Sequence, residues 1–340
     1  MKHANIPIFV PHMGCPHTCV FCNQRTISGK TAFSLEEAKR TIDESLLTLG
    51  DRQAEIAFFG GSFTAIDRRL MTDLLRLGKE QIDKGRVVGI RLSTRPDCID
   101  GEILDILEEY GVTAIELGCQ SSDDGVLSAC GRGHTKKDIE RAFSLIKERG
   151  IFEAVGQMMP GLPCSNFGKE LQTAEDLVSF GADAVRIYPT LVLEGTALAK
   201  LYKDGLYTPL SLEEGVERCA RLVEYFEGQG VRILKVGLHA EEGFASKALA
   251  GCYHPALGEL VENRLYFQKI SDYFEKNPPK RGKTYRVFVA KGRLSKAVGQ
   301  KKCNKTKLTE QYGFDLVFSE ESNLSRRQIR VQEEGAEKCD

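Results

Sequence analysis

No stretch of this sequence is apolar enough, for long enough, to cross a membrane, and the opening Met-Lys-His-Ala-Asn-Ile-Pro is no signal-type apolar run. A cytoplasmic protein with no membrane partner is the expectation. A reducing compartment makes a disulfide framework a poor use of the eleven cysteines, so clustered ones point to metal or catalysis. Three other things are missing. There is no second paired C-x-x-C element, no glycine-rich dinucleotide fingerprint after the first apolar run, and no evident Ser/His/Asp triad. Acid is absent locally as well: from Lys276 to Lys307 there are about a dozen Lys and Arg and no Asp or Glu. The net charge of −1 therefore hides an acidic body and a basic segment, which is either a solvated face or a docking surface for a polyanion.

What is present is a regular alternation. Apolar runs at Ile6–Val10, Glu55–Phe59, Val88–Leu92, Ala114–Leu117, Glu153–Met158 and Ala184–Ile187 are separated by helical patterns such as Leu35–Leu49, Leu70–Lys84 and Asp138–Glu148. Ser34 with Glu37 and Ser211 with Glu214 have capping-box spacing, and Thr135 with Asp138 has a weaker form of it. Gly85, Gly111, Gly150 and Gly181 sit where helices stop. Six strand–helix repeats with continuously apolar strands predict a parallel α/β sheet, either doubly wound or a full or partial barrel. Val231–Leu238 reads as another strand, residues 251–275 as Tyr253-His254-Pro255 followed by a helical pattern, and Tyr285–Ala290 and Asp315–Ser319 as strands. The expected division is a barrel over 1–250 and an extension over 251–340, with a small α+β appendage from about 280 and a frayed end over Gln332–Asp340.

The strongest motif is C-P-H-T-C-V-F-C, which spaces Cys15, Cys19 and Cys22 as C-x-x-x-C-x-x-C directly after the first strand, with Gly14 and Pro16 suited to an irregular loop. Three thiolates on one loop can hold three irons of a cubane and leave the fourth open to a small molecule. The same residues also allow zinc, with His12 or His17 as fourth ligand, although zinc sites usually draw paired cysteines from two places. The remaining eight cysteines are scattered, as buried structural thiols are.

This triplet resembles the signature of the radical S-adenosylmethionine (SAM) superfamily, with Phe21 as the aromatic residue before the third cysteine. The likeness extends over most of residues 1–260. Phe59-Gly60-Gly61-Ser62-Phe63-Thr64 is similar to the family's second-strand glycine motif, whose backbone meets the SAM amino group. Further segments resemble the catalytic subunit of Elongator, which modifies the wobble uridine of tRNA. They are Ser93-Thr94-Arg95-Pro96-Asp97, Glu116 through Gln120-Ser121, Arg132-Gly133-His134-Thr135, Met159 through Pro163, and Tyr188-Pro189-Thr190-Leu191 with Gly195-Thr196. Gly118 and Gln120-Ser121 are shared with oxygen-independent coproporphyrinogen oxidase. Two departures stand out. The first two cysteines are closer together than in the Elongator subunit, and the residues after 260 are too few for its acetyltransferase domain, with no acetyl-CoA motif among them.

The resemblance implies a partial (β/α)6 radical SAM barrel with a small C-terminal α+β appendage. The quoted motifs fall at the C-terminal ends of six strands, where (β/α) barrels build their sites. It implies a 4Fe–4S cluster on Cys15, Cys19 and Cys22 and a SAM site involving Phe21, Gly60, Gly61, Ser62, Arg95, Gln120, Arg132 and Tyr188. It also implies a tRNA substrate and an electron donor such as ferredoxin or flavodoxin. Several of these residues have plainer uses: Gly60-Gly61 as a turn, Arg95 paired to Asp97, Arg132 and His134 as a helix cap, and Tyr188 as core packing. His239 and His254 are lid candidates. Two other functions remain open at this stage: a small-molecule radical enzyme like coproporphyrinogen oxidase, and a non-catalytic RNA-binding protein with a structural metal.

Overall fold

The computed structural model describes residues 3–10, 15, 17–23, 33–50, 52–238 and 244–335. The chain divides into two units, residues 1–215 with 225–253 and residues 216–224 with 254–340.

In the first unit, strands β1 (His3–Phe9), β2 (Gln53–Phe59), β3 (Gly89–Thr94), β4 (Val112–Gln120), β5 (Glu153–Met158) and β6 (Ala184–Ile187) lie side by side in chain order. β7 (Leu191–Leu193) stands apart, and β8 (Arg232–Val236), the strand expected at Val231–Leu238, closes the row beside β6. All seven strands of the row are parallel, and they form a curled half-barrel. Between successive strands run α1 (Leu35–Thr48), α2 (Arg68–Asp83), α3 (Gly101–Glu109), α4 (Asp124–Ala129), α5 (Lys136–Arg149), α6 (Phe167–Ser179), α7 (Ala197–Lys203) and α8 (Leu212–Gly228). Side-chain caps start most of them. Ser34, Asp67, Asp100, Asp123, Asn166, Thr196 and Ser211 each accept a backbone N–H of the first turn, and Thr135 and Asp138 complete a full capping box. Gly150 ends α5 at φ 68°, a left-handed position that costs glycine little.

The strands are buried on both faces: Ile56, Ala57, Phe58, Ile90, Leu92, Ala114, Ile115, Leu117, Ala154, Val155, Ala184 and Val185 have no exposed surface. That is why the sequence shows unbroken apolar runs rather than alternation. The charged residues that interrupt them pair with one another. Glu116, fully buried, accepts from Arg91 Nη1 at 2.9 Å, Arg186 Nε at 2.7 Å and Nη2 at 2.9 Å, and Gln157 Nε2 at 3.0 Å. Arg91 also reaches Glu55 at 3.0 Å and Glu153 at 2.9 Å, and Arg232 pairs with Glu153. Three carboxylates thus meet three guanidiniums across six strands. The small antiparallel pair β7 with β9 (Ala248–Gly251) was not visible in the sequence, because each strand is only three or four residues long.

The second unit contains α9 (Leu257–Lys276), β10 (Thr284–Ala290), α10 (Leu294–Val298), α11 (Cys303–Tyr312), β11 (Asp315–Glu321) and β12 (Ile329–Glu333). β10 is central, parallel to β11 and antiparallel to β12. Tyr266, Ile270, Phe274, Val287, Val289, Leu308, Phe314 and Leu316 form its core. Gln332 and Glu333, expected in a frayed end, belong to β12; residues 336–340 lie outside the described residues. Polar residues alternate with Ile329 and Val331 there, as on a strand with one solvated face.

Candidate functional site

The strand ends of the first unit carry most of the sequence-selected residues. His12, Gly14, Pro16 and His239 lie outside the described residues. Cys19 and Phe21 are buried, Cys22 is half-buried and Cys15 exposed. Cys19 and Phe21 pack with Val126, Cys130, Leu162, Val192, Leu198, Ala199 and Tyr207. Backbone bonds dock the loop: Val20 N–H donates to Cys130 O at 3.1 Å, Leu198 N–H to Val20 O at 2.7 Å, and Cys22 N–H to Cys19 O at 3.0 Å. Among the described residues, no three His, Cys, Asp or Glu side chains already stand in a metal-holding arrangement. His17 of the zinc alternative lies instead against Gly133, where an added Cβ would fall 2.3 Å from its Nε2.

The turn Cys130–His134 cradles that loop. Gly131 (φ 65°) and Gly133 (φ 73°) let its backbone close on Thr18 and His17. Between them Arg132, 7% exposed, donates from Nη1 to Cys19 Sγ at 3.1 Å and from Nη2 to Gly118 O at 2.5 Å, while its Nε has no partner. Arg132 is therefore not simply a cap of α5. His134 sits beside it with Nε2 3.2 Å from Cys119 O and Nδ1 unpartnered; burial, Arg132 and Arg95 pull its pKa down to about 4, so the ring is neutral near pH 7.

From Arg132 the contacts continue across the sheet. A Cβ on Gly118 would meet Gln120 Nε2 at 3.0 Å, Arg132 Nη2 at 3.3 Å and Thr94 O at 3.5 Å, so glycine keeps this space open. Gln120 holds φ 67° at a register shift in β4, and its Oε1 is buried without a partner. A non-glycine residue in the left-handed region, with an orphaned amide oxygen, marks a strained, polar-lined spot. Thr94 Oγ1 lies 3.1 Å from Ser62 Oγ and 2.6 Å from Thr64 Oγ1, and Ser62 Oγ accepts Arg95 N–H at 3.1 Å. This buried hydroxyl chain, invisible to motif reading, ties β2's end to β3's. It also occupies Ser62. Gly60 and Gly61 precede it with φ 87° and 54°, and a Cβ on Gly60 would come within 3.1 Å of Val10 O.

Two further residues have internal partners. Arg95 forks onto Asp97 at 2.9 and 2.8 Å, the plainer of the two uses open to it. Tyr188 OH accepts from Arg186 Nη1 at 3.4 Å at the edge of the Glu116 network, and burial pushes its pKa up. The Pro160-Gly161 turn is fixed by Glu170, which accepts Gly161 N–H at 2.8 Å, and by Tyr207 OH, which donates to Gly161 O at 2.6 Å.

In the second unit, Lys280 and Lys283 pair with Glu333, Arg286 with Glu334, and Arg330 with Glu321. By contrast, Lys291, Arg293, Lys296, Lys301, Lys302, Lys305 and Lys307 form no ion pair among the described residues. His254, the other lid candidate, accepts Ala256 N–H at its own helix start.

A parallel half-barrel with a cysteine-triplet loop and glycine-opened strand ends is the architecture of one enzyme superfamily. The chain matches the Radical SAM superfamily over residues 9–177 and the Radical_SAM C-terminal domain over 182–266. An uncharacterized protein of Methanocaldococcus jannaschii is 30% identical over 66% of this chain and 72% of its own length. The chain belongs to the radical SAM superfamily, whose members use a 4Fe–4S cluster and SAM. Within it, human Elongator complex protein 3 is 37% identical over 41% of this chain and 26% of that protein. The tRNA uridine(34) acetyltransferase of Methanocaldococcus infernus is 37% identical over 52% of this chain and 33% of that protein. The chain thus spans a third or less of either. Archaeal Elp3 of Methanocaldococcus infernus, with residues 1–46 deleted, shares the fold at TM-score 0.59 and 24% identity over 82% of this chain and 64% of that one. Among the described residues no helix is long and apolar enough to cross a membrane.

Proposed function

We propose that this protein cleaves SAM reductively at a 4Fe–4S cluster held by Cys15, Cys19 and Cys22, and directs the resulting radical at a base in tRNA. The observation that carries the site is one cluster of strand-end groups: Arg132 bonds both Cys19 Sγ and Gly118 O, Gln120 Nε2 and Thr94 O border the space that Gly118 leaves open, and Thr94 bonds Ser62 beside Gly60-Gly61. It joins the thiol loop to the glycine motif across four strand ends.

The residues present fit both cofactors. Three thiols on one loop supply three ligands and leave a position open for a chelating small molecule. The unpartnered Gln120 Oε1, Arg132 Nε, His134 Nδ1 and Thr190 Oγ1 are buried polar atoms that a polar ligand could satisfy. When bound, the cluster supplies the electron that breaks the C5′–S bond of SAM and yields the 5′-deoxyadenosyl radical. The chain's own residues bind, orient and enclose. Gly60, Gly61 and Gly118 keep side chains out of the cofactor's way. Gln120 and Arg132 offer it a carbonyl and a guanidinium, Phe21 seals the loop against the apolar cluster, and Tyr188 lines the β6 end. Arg95 acts through Asp97, and Ser62 through the hydroxyl chain, to hold their turns.

The tRNA substrate is supported by the relatives named above and by the unpaired cations of residues 291–307, which suit a phosphate backbone. A low-potential donor such as ferredoxin or flavodoxin and a cytoplasmic place of action complete the proposal. The test is anaerobic reconstitution followed by dithionite and SAM, with and without bulk tRNA. Four irons per chain and 5′-deoxyadenosine are expected, and Cys15→Ala, Cys19→Ala and Cys22→Ala abolish both. Zinc in place of iron, with no 5′-deoxyadenosine, overturns the enzyme assignment. An unchanged tRNA nucleoside profile in a deletion strain, read by mass spectrometry, overturns the substrate.

A further inference from the structure

We infer that Arg132 sets the reduction potential of the cluster through a charge-assisted hydrogen bond to the Cys19 sulfur. This rests on the cluster assignment above and adds a role for a residue that the resemblance implies only as a SAM contact.

The geometry is specific. Arg132 has three nitrogens on its guanidinium, and they are used differently. Nη1 lies 3.1 Å from Cys19 Sγ, Nη2 is anchored on Gly118 O at 2.5 Å, and Nε is unpartnered. The anchor on the rigid β4 backbone fixes the plane of the group, so the Nη1–H is aimed at the sulfur rather than free to wander. The turn that presents it is equally constrained. Gly131 and Gly133 flank Arg132 in the left-handed region and lie against Thr18 and His17 of the cysteine loop, and Val20 N–H bonds to Cys130 O. Loop and turn are thus built as a pair, with the guanidinium between them. No carboxylate bonds to Arg132 among the described residues, so its charge is not neutralised at contact distance, and only 7% of the residue is exposed, so water screens it little.

Iron–sulfur potentials respond to net charge, burial and hydrogen bonds to the sulfurs. Reduction adds one electron and makes the cluster and its thiolates more negative. A buried cation donating to one of those sulfurs stabilises the reduced form more than the oxidised one, and so raises the potential. Arg132 is a positioning and tuning residue in this scheme, acting on the cluster through Cys19.

The test uses the reconstituted full chain without SAM, titrated with dithionite and followed by electron paramagnetic resonance. Arg132→Gln is expected to lower the midpoint so that, at the wild-type midpoint, the ratio of reduced to oxidised cluster falls about tenfold, which is a 59 mV shift for one electron. Arg132→Lys, which keeps the charge but loses the fork, is expected to fall between the two. A purely structural role for Arg132 would lower iron content while leaving the midpoint of the clusters that do assemble unchanged, and that result overturns the inference. Because the variants could fail to load iron, the wild-type protein labelled with [15N]arginine provides a second reading. Pulsed resonance of the reduced cluster is expected to show a 15N coupling, and a loaded cluster with none overturns the inference. A wild-type chain that assembles no iron–sulfur cluster at all overturns the cluster assignment itself, and this inference with it.

Discussion

Glu116→Gln removes one negative charge from the middle of the half-barrel and tests whether the buried ion network holds the strands together. Glu116 is fully buried and takes hydrogen bonds from Arg91, both forks of Arg186, and Gln157. A glutamine of the same shape offers one carbonyl to four donors and turns its own NH2 toward a guanidinium. Arg91 keeps Glu55 and Glu153, but Arg186 is left with the Tyr188 hydroxyl and the Phe59 ring. Breaking a buried pair in this way costs about 3–5 kcal/mol, because the remaining charge is stranded out of water. Against a total stability of roughly 5–15 kcal/mol that is a large share. For a unit of this size it corresponds to a fall of roughly 6–20 °C in Tm. Urea unfolding followed by circular dichroism is the assay, with the slope unchanged and the midpoint moved. The acid limb gives a second signature. Burial alone would raise the Glu116 pKa, but Arg186 and Arg91 more than offset it and hold the carboxyl below its ordinary range. A depressed folded pKa contributes stability that is complete above the unfolded value and lost as pH falls through the folded one. Wild type therefore loses this contribution on acidification, and Glu116→Gln, already without it, shows a shallower acid limb. A variant within about 1 kcal/mol of wild type at pH 7 refutes the argument, since it would mean the guanidiniums are paired or hydrated well enough without the carboxylate.

Three other outcomes follow from particular contacts. Gly133→Ala places a Cβ at φ 73° and 2.3 Å from His17 Nε2, whereas Gly150→Ala meets nothing within 4 Å at a similar φ of 68°. Both should lose about 1 kcal/mol to backbone strain, but only Gly133→Ala should reduce iron retained after reconstitution, measured per chain. His134, with its pKa near 4, favours the folded state above the unfolded value of about 6.5 and loses that advantage as pH falls toward 4. His134→Gln should flatten the urea midpoint between pH 7 and pH 5, and an unchanged slope counts against the buried neutral ring. In the second unit, Glu262 is buried against Arg326 and Arg327, and Arg327 and Arg326 hold its carboxyl down to about 2 despite burial. Glu262→Gln should speed amide exchange over residues 322–329, read by mass spectrometry.

Much of this was legible in the chain itself. The seven sheet strands, the stop glycines and the caps follow from periodicity and from local hydrogen bonding, which act over a few residues and so leave a local trace. The strand Val231–Leu238 was visible for the same reason. β7 and β9 were not, since strands of three or four residues owe their existence to each other rather than to a pattern. The cysteine triplet fixed the class of cofactor because three ligands on one loop are a local fact. What only the tertiary structure decided is how distant residues share work. Arg95 and Ser62 carried equal promise with Gln120 in the sequence, yet folding gives the first two internal partners and leaves the amide oxygen of the third without one. Arg132, 113 residues from Cys19, could be read beforehand as a helix cap; the β4 carbonyl that anchors it and the two glycines that let its turn close put it on the sulfur instead. Spacing along the chain specifies which chemistry is available, and only the packing of strand ends specifies which buried charge and which unpaired atom face it.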